Sequence, residues 1–393
     1  MLDTSTLISR RSAERCSKRV QALRVFTSVQ KKEGGFNKAF LFSTDDGQRV
    51  VTRFPTQVSG PARLITNSEV ATMRYRKQRQ YACTTIPIPR VIDWSDDSCN
   101  PLGQEYIIME YTYGVQLNEL WNDLSSSTQI RCIESLCYYV QQMARSDFPL
   151  YGSLYTADCS IPGIETVGIG EGFSIGPHCG TMYWDCTVDE SRYYHLSRPN
   201  RGPYQGHDLE SYSAGLVDTG LTRIPPSEID NNRVTPFQGL VKDHIDMLAR
   251  SREVLAVLDQ KKLASNLAPP RFALETDPTK ITGIIDWQST SIEPAFKYAD
   301  TIPDFVANHS VTTSPPSESG MDTTEMTKSE ICAVTFDACI KGLVPRLEYA
   351  RALDADLLRS FRYTHRTWKD GIAALREEFT MLSSRWSELG LPQ

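Results

Sequence analysis

The residue best suited to metal chemistry in this sequence is Asp286, which follows the β-branched run at 281–285 and precedes Trp287. Such a run predicts a short buried strand. A carboxylate at the end of a rigid strand can face a cleft and supply oxygen, the ligand type that Mg²⁺ prefers. The simpler interpretation is that Asp286 only opens the turn after the strand. The heptapeptide alone leaves both open.

A second group of residues could approach a phosphate. Gly34 and Gly35 lie at a predicted hairpin turn with Asn37 beside them. Glycine lets backbone N–H groups come close to a ligand because it has no Cβ atom. A turn at 45–47 then leads into a strand that carries Arg53, and the two hairpins predict a small antiparallel sheet. Paired glycines also occur in ordinary hairpins, so that alternative stays open.

Glu69 also has two interpretations. It lies three residues after Thr66, the spacing of a capping box, at the start of a helix predicted to run to about residue 81. Alternatively, its carboxylate pairs with the Arg53 guanidinium and holds that cation over a phosphate. A buried strand is predicted next, at 103–111, where the chain would leave the sheet.

Composition and charge narrow the class of protein. The 393 residues, of which 40% are hydrophobic, can bury one large core or two smaller ones. A net charge of −6 argues against nucleic-acid binding, because phosphate backbones attract basic surfaces. No apolar run approaches the roughly 20 residues that span a bilayer, and no apolar secretory signal opens the chain. The ten cysteines form no C-x-x-C pair, so neither a zinc site nor a disulfide framework is predicted. We therefore expect a soluble, reduced, intracellular protein.

The first 28 residues are a predicted N-terminal extension. Segment 2–28 carries six Lys and Arg residues against two acidic residues, with several Ser and Thr residues. This composition fits a weak mitochondrial transit segment, and it also fits a basic surface helix. The compartment, mitochondrial or cytoplasmic, stays open.

The later part of the chain predicts mainly helices. Helices with one apolar face are expected from Ser127 to about residue 143, over 243–258 and over 354–384. A glycine-rich stretch with strands is expected at 151–180. Segment 308–330 is rich in Ser, Thr and Pro without periodicity and predicts a flexible surface loop.

The order of these features resembles the small lobe of a kinase-like phosphotransferase. A glycine turn, a strand with a basic residue, a helix with an early Glu and a strand ending in Met-Glu-Tyr follow one another. More closely, segments 33–38, 68–73 and 281–288 resemble fungal aminoglycoside-phosphotransferase-family proteins of the altered-inheritance-of-mitochondria type. Trp184 and the stretches 173–177 and 201–204 resemble an insert of that family.

This resemblance implies an α+β, two-lobed protein-kinase-like fold of the aminoglycoside phosphotransferase and choline kinase type. It implies a small nucleotide-binding lobe at 29–111 and a mainly helical large lobe at 112–393. In the family, ATP and Mg²⁺ bind between the lobes and the γ-phosphoryl group passes to a small-molecule hydroxyl. The acceptor is not defined by the sequence.

The resemblance also implies a role for each site residue. The nucleotide loop would contain Gly34, Gly35 and Asn37, the phosphate-side pair would be Arg53 and Glu69, the adenine would contact Met109 to Tyr111, and the metal ligand would be Asp286. Arg53 departs from the family, which usually has Lys at this position. Its wide guanidinium does not reproduce the compact charge of an ammonium group.

The predicted catalytic loop departs most from the family. Phosphoryl transfer of this kind uses an Asp to accept the hydroxyl proton and an Asn to hold a second metal ion, in a motif about twenty residues before the metal-binding Asp. The aligned positions here hold Asn266 and Arg271. An amide cannot accept the proton as a carboxylate does, and a guanidinium repels Mg²⁺. The His-Asp-Leu sequence at 207–209 lies nearly eighty residues before Asp286, which is too early to replace the motif. No catalytic residue is therefore intact.

Three hypotheses stay open. The chain could be an active phosphotransferase with a rearranged loop, or a pseudoenzyme that acts by binding a nucleotide or a protein partner. Alternatively, the sequence at 259–277 could come from a faulty gene model of an active enzyme. Because removal of a catalytic base lowers rates by roughly 10²–10⁴, we expect weak or absent activity from the sequence as it stands.

Overall fold

The fold is described from a computed structural model of the chain. The described residues are 26–80, 85–160, 165–183, 208–224, 238–259, 265–267, 271–274, 281–299, 301–303, 305–306 and 326–392. Almost all of the predicted N-terminal extension, residues 308–325 of the predicted loop, Trp184 and the stretch 201–204 lie outside the described residues.

The N-terminal region is built on a five-stranded antiparallel sheet. In order across the sheet, its strands are β1 (Phe26–Glu33), β2 (Asn37–Thr44), β3 (Arg49–Pro55), β5 (Tyr106–Glu110) and β4 (Val91–Ser95). Successive side chains of a strand point to opposite faces. In β5, Tyr106 and Ile108 therefore join a small core on one face, and Ile107 and Met109 join the main core on the other. The two predicted hairpins are confirmed.

A single long helix, α1 (Ala62–Gln80), connects β3 to β4 and packs on the main-core face of the sheet. It begins directly after Pro61, whose carbonyl accepts the first helical hydrogen bond from Ile65 N. Thr66 and Glu69 therefore lie inside the helix, and the predicted capping box is wrong. The apolar residues Ala62, Leu64 and Ile65 are buried and extend the helix by a turn.

The remainder of the chain is mainly helical. Its helices are α2 (Leu117–Leu120), α3 (Ser126–Ala144), α4 (Leu209–Thr222), α5 (Val241–Asp259), α6 (Lys328–Leu343), α7 (Pro345–Arg351), α8 (Ser360–Tyr363), α9 (Thr367–Asp370) and α10 (Ile372–Ser384). Short 3₁₀ turns join several of them. None of the described helices is both long and apolar enough to cross a bilayer.

Three small sheets lie among these helices. One contains β12 (Ile281–Ile285), β11 (Arg271–Leu274) and β6 (Val115–Gln116), and a second contains β10 (Ser265–Leu267) and β13 (Ile292–Pro294). The third contains β7 (Ser153–Thr156), β9 (Phe173–Gly176) and β8 (Val167–Gly170), which confirms the strands predicted at 151–180.

Several predicted helix boundaries are wrong. The N-cap of α3 is Ser125, which accepts a hydrogen bond from Thr128 N, and not Ser127. The helix predicted over 354–384 is divided into short segments, because Gly371 adopts a positive φ of 87° before α10 begins. At the end of the predicted loop 308–330, residues 328–330 already belong to α6, which Thr327 caps.

Candidate functional site

Arg53 joins the two carboxylates of the candidate site, those of Glu69 and Asp286. Its Nη1 donates a hydrogen bond to Glu69 Oε1 of α1, and its Nη2 donates to Asp286 Oδ1 at 2.9 Å. The Arg53 side chain is 12% exposed and that of Glu69 only 3%, whereas that of Asp286 is 31% exposed. One cation is thus shared by two carboxylates, and the face of the site that solvent reaches is that of Asp286. The alternative interpretation of Glu69, pairing with Arg53, is the one that the structure shows.

The position of Asp286 is set by the end of β12. Ile284 N donates to Pro87 O at 2.8 Å, and the buried Trp287 donates from Nε1 to Ile284 O at 2.9 Å. Asp286 itself has a positive φ of 66°, a conformation that side chains with a Cβ atom adopt rarely. Asp is enriched in this conformation relative to most residues, and Ser289 shares it, so the φ value fits the turn interpretation as well as a metal-binding role.

Burial and charge act in opposite directions at this site. Burial lowers the pKa of Arg53, but the Glu69 and Asp286 carboxylates outweigh it and raise that pKa above its ordinary value. Burial raises the pKa of Glu69, and the neighbouring Arg53 only partly offsets this. Counted formally, the three groups carry one positive and two negative charges, and the excess negative charge attracts a cation.

The glycine hairpin is linked to the segment after Asp286. Asn37 Nδ2 donates a hydrogen bond to Gln288 Oε1, and the turn itself closes through Gly34 N and Asn37 O at 2.9 Å. A Cβ atom at Gly35 would meet no atom within 4 Å, so packing does not explain this glycine. The nucleotide-loop role of Gly34, Gly35 and Asn37 remains a prediction.

The predicted adenine-contacting hinge leaves the sheet beside the site. Met109 is buried and pairs with Val51 of β3. Tyr111 stacks edge-on against Tyr113 at 5.0 Å between ring centroids, with the Arg49 guanidinium 5.4 Å from the Tyr111 ring.

This linker approaches β12 closely. Thr282 Oγ1 donates to Tyr113 O at 3.0 Å. A Cβ atom at Gly283 would lie 2.0 Å from Thr112 Cγ2, so only glycine fits that position. The linker is thereby held against the strand that carries Asp286.

The sequence did not reveal how α1 is held. Asn67 is almost fully buried; its Nδ2 donates to Asp96 Oδ2 at 2.8 Å, and its Oδ1 accepts from Thr156 N at 2.9 Å. The next residue, Ser68, accepts from Cys179 Sγ at 3.3 Å. Residues 67, 68 and 69 thus make contacts with four different segments of the chain. The run of four polar residues at 66–69 was the signal that the sequence offered for these contacts.

A second buried polar cluster, also missed, surrounds Glu293. Its Oε1 lies 2.9 Å from His178 Nε2 and accepts from the hydroxyls of Tyr183 and Tyr212 at 3.4 Å each. Burial raises the pKa of Glu293, but His178 and Lys297 more than reverse this and bring it to about 2. Glu293 of β13 pairs in register with position 266 of β10, so the cluster adjoins the strand that contains the expected base position.

The predicted catalytic loop contains short strands. Position 266 lies in β10, which pairs with β13, and position 271 begins β11, which pairs with β12. Their backbones are described, but the conformations of the Asn266 and Arg271 side chains lie outside what the structure describes. Asp208, of the rejected 207–209 sequence, caps α4 by accepting from Ser211 N at 2.9 Å.

The side chains of the site supply only part of the ligands that Mg²⁺ requires. The described residues contain no group of three or more His, Cys, Asp or Glu that could hold a metal ion. Mg²⁺ commonly binds through one or two carboxylates together with substrate phosphates and water. Arg53, Glu69 and Asp286 are here called the Arg53 triad. Asp286 fits that pattern because it is the more exposed carboxylate of the triad, for a metal ion that arrives with a phosphate ligand.

Fold and site together define the class of the protein. The strand order of the N-terminal sheet, the single helix before β4 and the basic residue paired with a helix Glu form a kinase-like small lobe, followed by a mainly helical large lobe. The chain has the α+β, two-lobed protein-kinase-like fold that its motifs implied.

The relatives of the chain are fungal proteins. It is 37% identical over 311 residues to a subtelomeric hrmA-associated cluster protein of Aspergillus fumigatus, covering 68% of this chain and 58% of that protein. It is 25% identical over 302 residues to altered inheritance of mitochondria protein 9, mitochondrial, of Yarrowia lipolytica, covering 70% of this chain and 50% of that protein. The chain is therefore similar to fungal proteins that include the altered-inheritance-of-mitochondria type, and it spans 58% and 50% of the lengths of these two relatives. No protein-family model matches it.

Solved structures of aminoglycoside phosphotransferases align along nearly the whole chain. The ADP-bound APH(2'')-Ib covers 96% of this chain and 98% of its own, at 12% identity and a TM-score of 0.46. The apo form of a thermostable mutant of APH(4)-Ia covers 95% and 98%, at 14% identity and a TM-score of 0.45. We assign the fold from the strand order of this chain and not from these scores.

Proposed function

We propose that the chain binds ATP together with Mg²⁺ at the Arg53 triad, and that it transfers the γ-phosphoryl group to a small-molecule hydroxyl weakly or not at all. The observation that carries this proposal is the pairing of Arg53 with both Glu69 and Asp286. It brings a guanidinium, which suits phosphate oxygens, into contact with a carboxylate, a ligand type that Mg²⁺ prefers, close to the glycine hairpin whose Asn37 donates to Gln288.

The charges of the triad support a requirement for the metal ion. Without a metal, an ATP phosphate would meet a group with one more negative than positive charge. Mg²⁺ on Asp286 would reverse that sign, because it adds two positive charges. Arg53 Nη2 would then exchange its Asp286 partner for a phosphate oxygen, while Nη1 stays on Glu69. The planar fork of Arg suits this role, since it binds two oxygen groups at once.

The weak or absent transfer follows from the residue types at positions 266 and 271. When bound, Mg²⁺ neutralises charge on the phosphates, but the acceptor hydroxyl still has to lose its proton. Asn266 cannot accept that proton, and Arg271 cannot hold a second metal ion. The chain is then a pseudoenzyme in which the nucleotide acts as a bound ligand.

A thermal-shift titration with ATP tests the proposal. A ligand that binds only the folded state raises the melting temperature, and the rise grows with the logarithm of the ratio of ligand concentration to Kd. We expect a rise with ATP and Mg²⁺, little rise with ATP alone, and loss of the rise in Asp286→Asn. The matched control is Asp218→Asn, which removes an exposed carboxylate paired with Arg252 at 2.7 Å and should leave the rise intact. Equal shifts with and without Mg²⁺, or no shift at millimolar ATP, would contradict the proposal.

Two further measurements separate the alternatives. ATP turnover with a panel of hydroxylated metabolites, compared with Asp286→Asn, distinguishes an active enzyme from a pseudoenzyme. The transcript across codons 259–277 decides whether the loop is correctly translated; a transcript that encodes the present residues removes the gene-model hypothesis. Because the name of the Yarrowia lipolytica relative places that protein in mitochondria, a fluorescent fusion of the full-length protein should be examined there first.

A further inference from the structure

Helices α3 and α6 pack side by side in one register. Cys332 Sγ donates to Gln129 Oε1 across a sequence separation of 203 residues. Gln141 Nε2 donates to Leu343 O across a separation of 202 residues. Because the sequence separation of the contacting residues is nearly constant, the two helices run in the same direction. Each α3 residue therefore lies at the level of the α6 residue about 202 positions later in the sequence.

Cys137 and Cys339 meet at this interface. Their sequence separation, 339 − 137 = 202, is that of the Gln141–Leu343 contact one turn away, so the register of the two packed helices brings both cysteines to the same level of the interface. Cys137 is fully buried, whereas Cys339 is half-buried at the edge of the interface. The pair therefore combines an outer thiol that a small reagent can reach with an inner thiol behind it.

We propose that Cys137 and Cys339 are a reversible modification site, at which a hydroperoxide oxidises the two thiols to a disulfide that joins α3 to α6. The reaction has two steps. The Cys339 thiolate attacks the peroxide oxygen, forming a sulfenic acid and releasing hydroxide. The Cys137 sulfur then displaces the sulfenic hydroxyl, and the S–S bond forms as water leaves. With hydrogen peroxide, two thiols lose two hydrogens and two electrons, and the peroxide is reduced to two waters.

The surroundings determine which thiol reacts first and how fast. Burial raises the pKa of both thiols, and the nearby carboxylate of Glu134 adds to this at each. The interaction between the thiols lowers the pKa of Cys339 and raises that of Cys137, and Cys339 is also the less buried of the two, so Cys339 should react first. Because the thiolate is the nucleophile, the reaction is slow at neutral pH and accelerates as pH rises. This proposal does not depend on nucleotide binding.

Peptide mapping of the oxidised full-length chain tests the proposal. Trypsin places Cys137 in peptide 132–145 and Cys339 in peptide 329–341, but each peptide holds a second cysteine, Cys132 or Cys332. The variant carrying Cys132→Ser and Cys332→Ser leaves one cysteine in each peptide. We expect hydrogen peroxide to link the two peptides in this variant and in the unsubstituted chain. Reductant should separate them, and adding Cys339→Ser should abolish the link.

The exposed Cys99 reports that the oxidant has acted. If Cys99 is oxidised while peptides 132–145 and 329–341 stay fully alkylated as free thiols at pH 8, the proposal is overturned. A link in the unsubstituted chain that maps to Cys132 or Cys332 would overturn it equally. A mapped disulfide should also raise the midpoint of thermal unfolding, because it closes a long segment of the unfolded chain.

Discussion

At the residue scale, Arg53 has a structural role that is separate from any ligand. Glu69 is buried to 2% exposure, and its carboxylate would have no cation in the triad without Arg53. Breaking a buried pair from one side typically costs about 3–5 kcal/mol, whereas replacing both partners by apolar residues is often neutral. Arg53→Met should therefore lower the free energy of unfolding by that amount, and adding Glu69→Leu should restore much of it. Urea unfolding measures both.

The control for this cycle is Arg90→Met. Arg90 pairs with Glu110 at 2.7 Å, but both side chains are largely exposed, so the loss should stay below about 1 kcal/mol. If Arg53→Met and Arg90→Met have equal effects, Arg53 does not neutralise a buried charge.

Glu293 predicts a specific pH dependence of stability. Its pKa is depressed from 4.5 to about 2 in the folded state. A depressed carboxyl stabilises the protein above its unfolded pKa, and this stability is lost as pH falls through the folded value. The linked free energy is about 3 kcal/mol, lost between about pH 4.5 and pH 2. Glu293→Gln should reduce the slope of a plot of unfolding free energy against pH in that window. The control Glu377→Gln, at an exposed position, should leave the slope unchanged.

The residue types of the Arg53 triad could be predicted from the sequence, but only part of its geometry could. Glu69 follows Arg53 by 16 residues in a strand–helix order, so their pairing was one of two stated interpretations. The Arg53–Asp286 contact spans 233 residues, and no local pattern encodes it. The Glu293 cluster escaped notice because its His, Tyr and Lys partners come from separate elements. Each of them has the sequence context of an ordinary core residue.

At the element scale, α1 should depend on the contacts of Asn67. Asn67→Ala would leave Thr156 N and Asp96 without their partner inside the protein, at a cost of about 1–3 kcal/mol. It should also increase amide hydrogen exchange along 62–80 and weaken the Mg²⁺-dependent ATP shift, because Glu69 follows two residues later. The exposed Gln78→Ala on the same helix should change neither. Unchanged exchange in Asn67→Ala would show that α1 is held by other contacts.

The linker after β5 makes a second element-scale prediction. A Cβ atom at Gly283 would overlap Thr112 Cγ2, so Gly283→Ala should push the linker away from β12 and cost about 1–3 kcal/mol. Thr112→Ala removes Cγ2 and should recover part of that loss in the double variant. A denaturation series of the four proteins gives the coupling energy. If the two effects simply add, the steric explanation is wrong.

Element types were predicted better than their ends. The hairpins and α5 follow from clear periodicity and turn residues. The start of α1 was placed four residues late, because the Thr66–Glu69 spacing outweighed the helical signal of the apolar residues before it. The sequence predicts one helix over 354–384, because the apolar spacing continues through Gly371. The positive φ of Gly371 instead ends one helix and precedes the next.

At the scale of the whole molecule, the two lobes share one hydrophobic core. Leu64 and Ile107 of the N-terminal lobe belong to the same buried cluster as Leu136, Ile284 and Leu382 of the large lobe. The Arg53–Asp286 and Asn67–Thr156 contacts also cross between the lobes. A shared core of this kind predicts that the lobes unfold together and not as independent domains.

Native-state hydrogen exchange against urea concentration tests this coupling. We expect the slowest amides of β5 and of α3 to open with the same free energy and the same urea dependence, because one global unfolding exposes both. Asn67→Ala, which cuts a connection between the lobes, should separate the two curves, with β5 opening at the lower free energy. If β5 already opens independently in the unsubstituted chain, the N-terminal lobe is its own folding unit. The inter-lobe contacts at Arg53 would then form only after both lobes have folded.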